Sequence, residues 1–135
     1  MKIKFLIADE FRQEMNYKVT ALGLFPDDTV IFIKGQRPAN APDNAPTGIE
    51  RLSIMVVVSD IEGSHSYKGK IVDPNGQMIG KEHPFADNCL VKEGMSQSFV
   101  FEMKPFIFQL PGIYKFIFYI DDQPKEFPFE MRMQS

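Results

Sequence analysis

The side chains with the most site chemistry to offer are His65, His83 and Cys89, the only two histidines and the only cysteine of the sequence. Acids stand near them in segments that read as loops: Asp60 and Glu62 before His65, Asp87 and Glu93 around Cys89, and the adjacent pair Asp121-Asp122. Oxygen ligands drawn from several loops suit Ca²⁺. His65, His83 and Cys89 with one acid suit Zn²⁺. Neither set has an ordered ligand spacing: there is no EF-hand loop, no Cys-x-x-Cys and no His-x-x-x-His. Acids are also ordinary turn residues, so solvated loops are the plain reading of the same positions.

Covalent and acid–base catalysis have less to stand on. Cys89 with His83 or His65 is the one thiol-based pair, but Asn88 and Leu90 flank it in no known signature, and a lone thiol is as readily a small core residue. Gly63-Ser64-His65 is not a nucleophile elbow. Gly76 and Gly80 fall in a hairpin rather than a phosphate-cradling loop. Asp121 and Asp122 are neighbours in a turn, not carboxylates opposed across a cleft. The expectation is a protein that is not an enzyme and implies no cofactor.

The element that must position most of these groups is 110–122, Leu-Pro-Gly-Ile-Tyr-Lys-Phe-Ile-Phe-Tyr-Ile-Asp-Asp. Tyr114, Phe116, Phe118 and Ile120 alternate with Ile113, Lys115, Ile117 and Tyr119, the period of a half-buried strand with its even face inward. Leu110-Pro111-Gly112-x-Tyr114 at its start predicts a tyrosine corner, with the Tyr114 hydroxyl bonded back to the chain. The outward stripe Ile113, Ile117, Tyr119, flanked by Lys68 and Lys70, is more apolar than a fully solvated face and is a candidate partner surface. Phe106 and Phe108 form a second apolar group beside Phe99 and Phe101.

Similar alternation predicts strands over 2–8, 17–25, 29–33, 51–59, 66–73, 77–80, 96–104 and 125–133. Residues 9–15 read as a helical turn or wide loop, closed by Asn16. Residues 34–48, with Pro38, Pro42 and Pro46, read as a long loop, and 81–95 as a second irregular stretch. Pro128 fits if its strand lies at a sheet edge. About eight strands, no firm helix and regular turns describe an all-β, antiparallel, immunoglobulin-like sandwich with Greek-key connections, in a single domain over 1–135. With 51–59, 66–73, 96–104, 111–121 and 125–133 in the B, C, E, F and G places, the loops 60–65, 81–95 and 121–124 gather at one end. That end then holds Asp60, Glu62, His65, His83, Asp121 and Asp122.

Composition sets outer bounds. A net charge of −3 without a run of one sign argues against a nucleic-acid binder, whose footprint is a basic stripe. One cysteine forbids an intrachain disulfide and points to a reducing compartment. The N-terminal apolar run, broken at Asp9-Glu10, is no secretory signal, and no run is long enough to span a bilayer. Thirteen phenylalanines and no tryptophan supply a core that needs no staple.

The run Ala8-Asp9-Glu10-x-Arg12-Gln13-Glu14-x-Asn16-x-Lys18 with Leu22-Gly23, then Leu110-Pro111-Gly112-x-Tyr114 and Phe127-x-Phe129, resembles a family of small uncharacterised prokaryotic proteins known only as a domain of unknown function. In this chain Tyr17 stands where that family commonly has a second glycine, and Glu10 where it has aspartate. The resemblance implies a sandwich fold and a cytoplasmic setting, and no activity. Asp9, Arg12 and Glu14 read as an ion-pair corner pinning the first hairpin. By elimination the expected function is a protein-interaction or assembly module, as a homo-oligomer or with a protein partner. The alternative is a Ca²⁺- or Zn²⁺-dependent binding module.

Overall fold

The computed structural model describes residues 1–15, 18–33, 47–108 and 110–134. These form eleven strands and one 3-10 turn, Pro26–Asp28. The strands are β1 (Lys2–Gln13), β2 (Val19–Leu24), β3 (Thr29–Ile33), β4 (Thr47–Ile49), β5 (Leu52–Ser59), β6 (Gly63–Val72), β7 (Met78–Val91), β8 (Gln97–Met103), β9 (Phe106–Phe108), β10 (Gly112–Ile120) and β11 (Gln123–Gln134). One sheet runs β2-β1-β5-β8, the second β3-β11-β10-β6-β7, and β4 pairs with β9 in a small third ladder. All pairings are antiparallel except β3 with β11. The strands placed as B and E (β5, β8) pair with each other. Those placed as C, F and G (β6, β10, β11) lie side by side in the other sheet.

The two large sheets form an all-β sandwich whose core follows from the alternation. Tyr114, Phe116, Phe118 and Ile120 of β10 are buried, and Phe116 and Phe118 are fully so. They meet Ile54, Val56 and Val58 of β5 and Phe99 of β8 in one cluster. Rings cross between the sheets: Phe5 stacks on Phe127 at 5.1 Å, and Tyr67 meets Phe99 at 4.6 Å. Gly69 of β6 is a glycine for want of room, because a Cβ there would lie 2.6 Å from Cζ of Phe116 and 2.9 Å from Phe85. Met55 is buried on the other side of β5, so that strand is covered on both faces. The Tyr114 hydroxyl donates to the Leu110 carbonyl at 2.6 Å, which is the expected corner. Phe106 and Phe108 of β9 pack edge-on against the same ring. Burial lifts the Tyr114 phenol to about 12.

Four expectations need correction. Residues 9–13 are not a turn but the continuation of β1, held by its ladder with β2. Most of 81–95 is strand: β7 runs to Val91, with bulges against β6 between His65 and Ile71. β11 is not an edge strand. β3 covers it only from Glu130 onward, however, so at Pro128 it has a ladder neighbour on one side, and the missing N–H is tolerated. The strand count is eleven among the described residues rather than eight. Of the proposed long loop 34–48, residues 34–46 lie outside the described residues, as does Asn16, and Thr47 and Gly48 belong to β4.

Candidate functional site

The β10–β11 connection has only two residues, Asp121 and Asp122, with φ of 48° and 66°. Two left-handed central residues make the tight hairpin whose twist matches its strands, and aspartate tolerates that conformation better than most residues. This turn aims the Asp121 carboxylate at the start of β6. One oxygen accepts the Ser66 backbone N–H at 2.9 Å, and the other lies 2.5 Å from Nδ1 of His65. The Asp121 N–H in turn donates to the Ser66 carbonyl at 2.9 Å. Nε2 of His65 is 2.6 Å from the Glu62 carbonyl.

Both partners of the imidazole accept, Asp121 as a carboxylate and Glu62 as a carbonyl, so the two contacts favour the doubly protonated ring. Its pKa is raised, first by the hydrogen bond to Asp121 and then by the Glu62 carbonyl. The Asp121 carboxyl is lowered by the same bond and by the Ser66 N–H. With both ring nitrogens engaged from within the chain, His65 is not presented to a metal, a thiol or a substrate proton. It is a latch that ties the 60–62 loop, β6 and the β10–β11 turn together.

The neighbouring polar groups are also satisfied from within. The Ser66 hydroxyl donates to Asp87 at 2.6 Å and accepts the Asn88 N–H at 3.2 Å. Lys68 lies 3.2 Å from Asp122 and 3.6 Å from Glu82. Ser66, Lys68, Asp87 and Asp122 rim an open groove of about 390 Å³ with Pro84 and Ala86.

Of the residues marked from sequence, the structure brings His65, Asp121 and the Glu62 backbone together, with Asp122 adjacent through Lys68. Asp60 turns to Lys2 instead, at 3.7 Å. His83 is not part of this end. It stands opposite Gly69 on β7, with its ring edge-on to Phe85 and Phe101 at 4.8 and 5.3 Å. Cys89 pairs with His65 in the ladder and is half-buried, packed against the core. Among the described residues no three His, Cys, Asp or Glu side chains converge as a metal set would require.

The outward stripe of β10 is uneven. Ile113 is exposed, but Ile117 and Tyr119 are half-buried. The ammonium groups of Lys68 and Lys70 lie over the Tyr119 ring at 5.2 and 5.7 Å. Lys115 pairs with Glu126 and Arg132 with Glu130 on the same face. The ion-pair corner of the first hairpin also differs from the expected Asp9, Arg12 and Glu14. Glu10 holds it, 3.2 Å from Arg12 and 2.9 Å from Arg51, and its carboxyl is lowered chiefly by the Arg12 hydrogen bond. The Asp9 side chain occupies the space a Cβ at Gly23 would need, and the φ of Gly23 is +65°. Glu14 contributes its N–H, donated to the Lys18 carbonyl at 2.7 Å.

The feature that sequence reasoning left unmarked is the arm built by 9–13 and β2. β5 pairs with β1 only as far as Ala8, so beyond it β2 is the sole ladder neighbour of β1 among the described residues. Every residue of β2 is exposed, including Val19, Leu22 and Leu24, at 42, 39 and 51 %. Its signal in the sequence was apolar content on both parities of a strand, which a half-buried strand does not show.

Fold and site together describe a two-sheet β-sandwich with an internally latched loop end and, among the described residues, an edge strand exposed at every position. A family model covers residues 4–132, and the chain belongs to that family, a family of unknown function (DUF6941). No curated protein matches the chain. Among solved structures it is similar to the Pseudomonas fluorescens alkylpurine DNA glycosylase AlkC bound to DNA containing an abasic site analog. The TM-score is 0.46 at 11% identity, over 96% of this chain and 30% of that one. At that distance the likeness carries no argument about this protein.

Proposed function

We propose that the chain is a non-catalytic protein-interaction module of the cytoplasm that docks through the free edge of β2. The observation that carries this reading is the exposure of β2 at all six positions, on both faces, at the end of a sheet. Edge strands present unpaired N–H and C=O groups, and natural sequences guard them with lysine, proline or a covering element. Val19–Leu24 has neither lysine nor proline. Adding a strand there gives main-chain hydrogen bonds, with apolar contacts from alternate side chains. A protein rather than a nucleic acid suits a strand, Val19–Leu24, that itself carries no cation. The metal-dependent alternative has no comparable support, because His65 spends both nitrogens on Asp121 and Glu62.

The test is capture of a protein partner from cell extract by wild-type chain, by Leu22→Lys and by Ile113→Lys. Leu22→Lys abolishes capture and Ile113→Lys leaves it intact. The opposite pattern would move the docking surface to the outer face of β10 and end the β2 reading.

A further inference from the structure

The outer face of the five-stranded sheet holds another groove, of about 470 Å³, beside a lysine whose charge the described residues leave unmatched. We propose that this groove binds a small monocarboxylate with an apolar tail, its carboxylate on Lys70 and its tail along Ile117, Val72 and Ile113.

Strand pairing puts these parts on one face. Lys70 of β6 stands opposite Ile117 of β10, and Val72 stands opposite Lys115. Residues opposed in an antiparallel ladder project to the same side of the sheet. Ile117 and Val72 are half-buried, and Ile113, on the same stripe of β10, is exposed. With Pro74 they give the groove an apolar floor. Its volume lies within the range of small-molecule sites, roughly 300–1,000 Å³.

The charges around that floor select an anion. Lys115 is paired with Glu126 at 3.4 Å, and Lys68 is held between Asp122 and Glu82. One carboxylate oxygen of Asp73 accepts the N–H groups of Asn75 and Gln77, both at 2.9 Å. Lys70 has no acid partner among the described residues. Its ammonium lies 5.7 Å from the centre of the Tyr119 ring, which it shares with Lys68 at 5.2 Å. Two like charges thus meet over one aromatic face, and a carboxylate at Lys70 answers the one that has no counter-charge. Asp73 fixes the direction of the ligand. It lies three residues beyond Lys70, about 10 Å along extended chain, so a second carboxylate at the far end of the ligand meets an acid.

Titration with octanoate, followed by the backbone amide signals of the labelled chain in NMR, tests the site. The amides of Lys70, Val72, Ile113 and Ile117 shift together and saturate, with a Kd in the millimolar range, on the order expected of about ten heavy atoms. Lys70→Gln weakens binding roughly three- to fivefold, the effect of one exposed charge pair. Lys125→Gln removes a cation that also lacks an ion pair among the described residues but lies outside the groove, and it leaves the affinity unchanged. Octanol, with the tail but no charge, and octanedioate, with a second carboxylate to face Asp73, both bind more weakly than octanoate. The proposal is overturned by an absence of saturable shifts, or by shifts centred on other residues. It is equally overturned if octanol matches octanoate or if Lys70→Gln leaves the affinity unchanged. The groove and β2 lie in different sheets, so failure here leaves the β2 reading to its own test.

Discussion

Two buried tyrosines separate the contribution of a hydroxyl from that of its ring. Tyr114 and Tyr67 are each about 98–99 % inaccessible, at 1 and 2 % exposure. The Tyr114 hydroxyl donates to Leu110, whereas the Tyr67 hydroxyl is buried without a partner among the described residues. Removing a partnered group strands its acceptor, and removing an orphan strands nothing. Tyr114→Phe should therefore cost about 1–2 kcal/mol. Tyr67→Phe should leave stability unchanged or raise it by up to about 1 kcal/mol. Urea midpoints at constant m-value check both. Equal losses at the two sites would contradict the assignment of Tyr67 as the orphan. The ring of Tyr67 keeps its value in either case, since it packs on Phe99 and Phe118.

At the scale of elements, the His65 latch joins a loop, a strand and a turn, and its protonation sets how firmly. The folded chain holds the imidazole proton more tightly than the unfolded chain does. The stability this contributes is full below the ordinary histidine value of 6.5 and drains as pH rises through the raised folded value. The Asp121 contribution has the opposite sense. It is full above the ordinary carboxylate value of 3.8 and is lost as pH falls through the lowered folded value. The latch is thus strongest in mildly acidic solution. Melting temperature should fall as pH rises above the ordinary histidine value of 6.5 in the wild type. In His65→Gln that slope should flatten, and an unchanged slope would refute the latch.

The parts of this site were legible to different degrees. The 110–122 strand, its corner and its Asp-Asp turn announced themselves, because alternation and turn chemistry are local signals. β7 did not. Its Lys-Glu-His-Pro and Asp-Asn segments are loop-like in composition, and only a long-range ladder with β6 makes them a strand. Residues 9–13 were obscured for a related reason: they lie beyond the sandwich, where no buried face imposes a period. His83 was misplaced along with β7, since a residue thought to sit in a terminal loop belongs midway along a strand.

The whole molecule divides into a sandwich that buries its residues and an arm that buries little beyond itself. Phe25 donates its N–H to the Ile7 carbonyl at 2.9 Å, and Ala8 pairs with Leu24, so the hairpin is anchored where it leaves the body. Past that point the ties to the body are the Ser53 hydroxyl on the Asp9 carbonyl, at 3.0 Å, and the Arg51–Glu10 pair. An ion pair with both partners partly exposed contributes about 1 kcal/mol or less. Replacing 10–22 by Asn-Gly joins Asp9 to Gly23 through a two-residue turn suited to antiparallel strands. The shortened chain should keep the sandwich, the Tyr114 corner and the His65 latch. Its unfolding free energy should fall by no more than about 2 kcal/mol, because the ladder removed is solvent-exposed and the entropy cost of ordering 10–22 is removed with it. It should also lose capture of a protein partner, since its docking edge is gone. A shortened chain that fails to fold would show that the arm belongs to the core, and one that still captures the partner would place the interface elsewhere. Conserved stability with lost association is the combination expected of an appendage whose use lies outside its own fold.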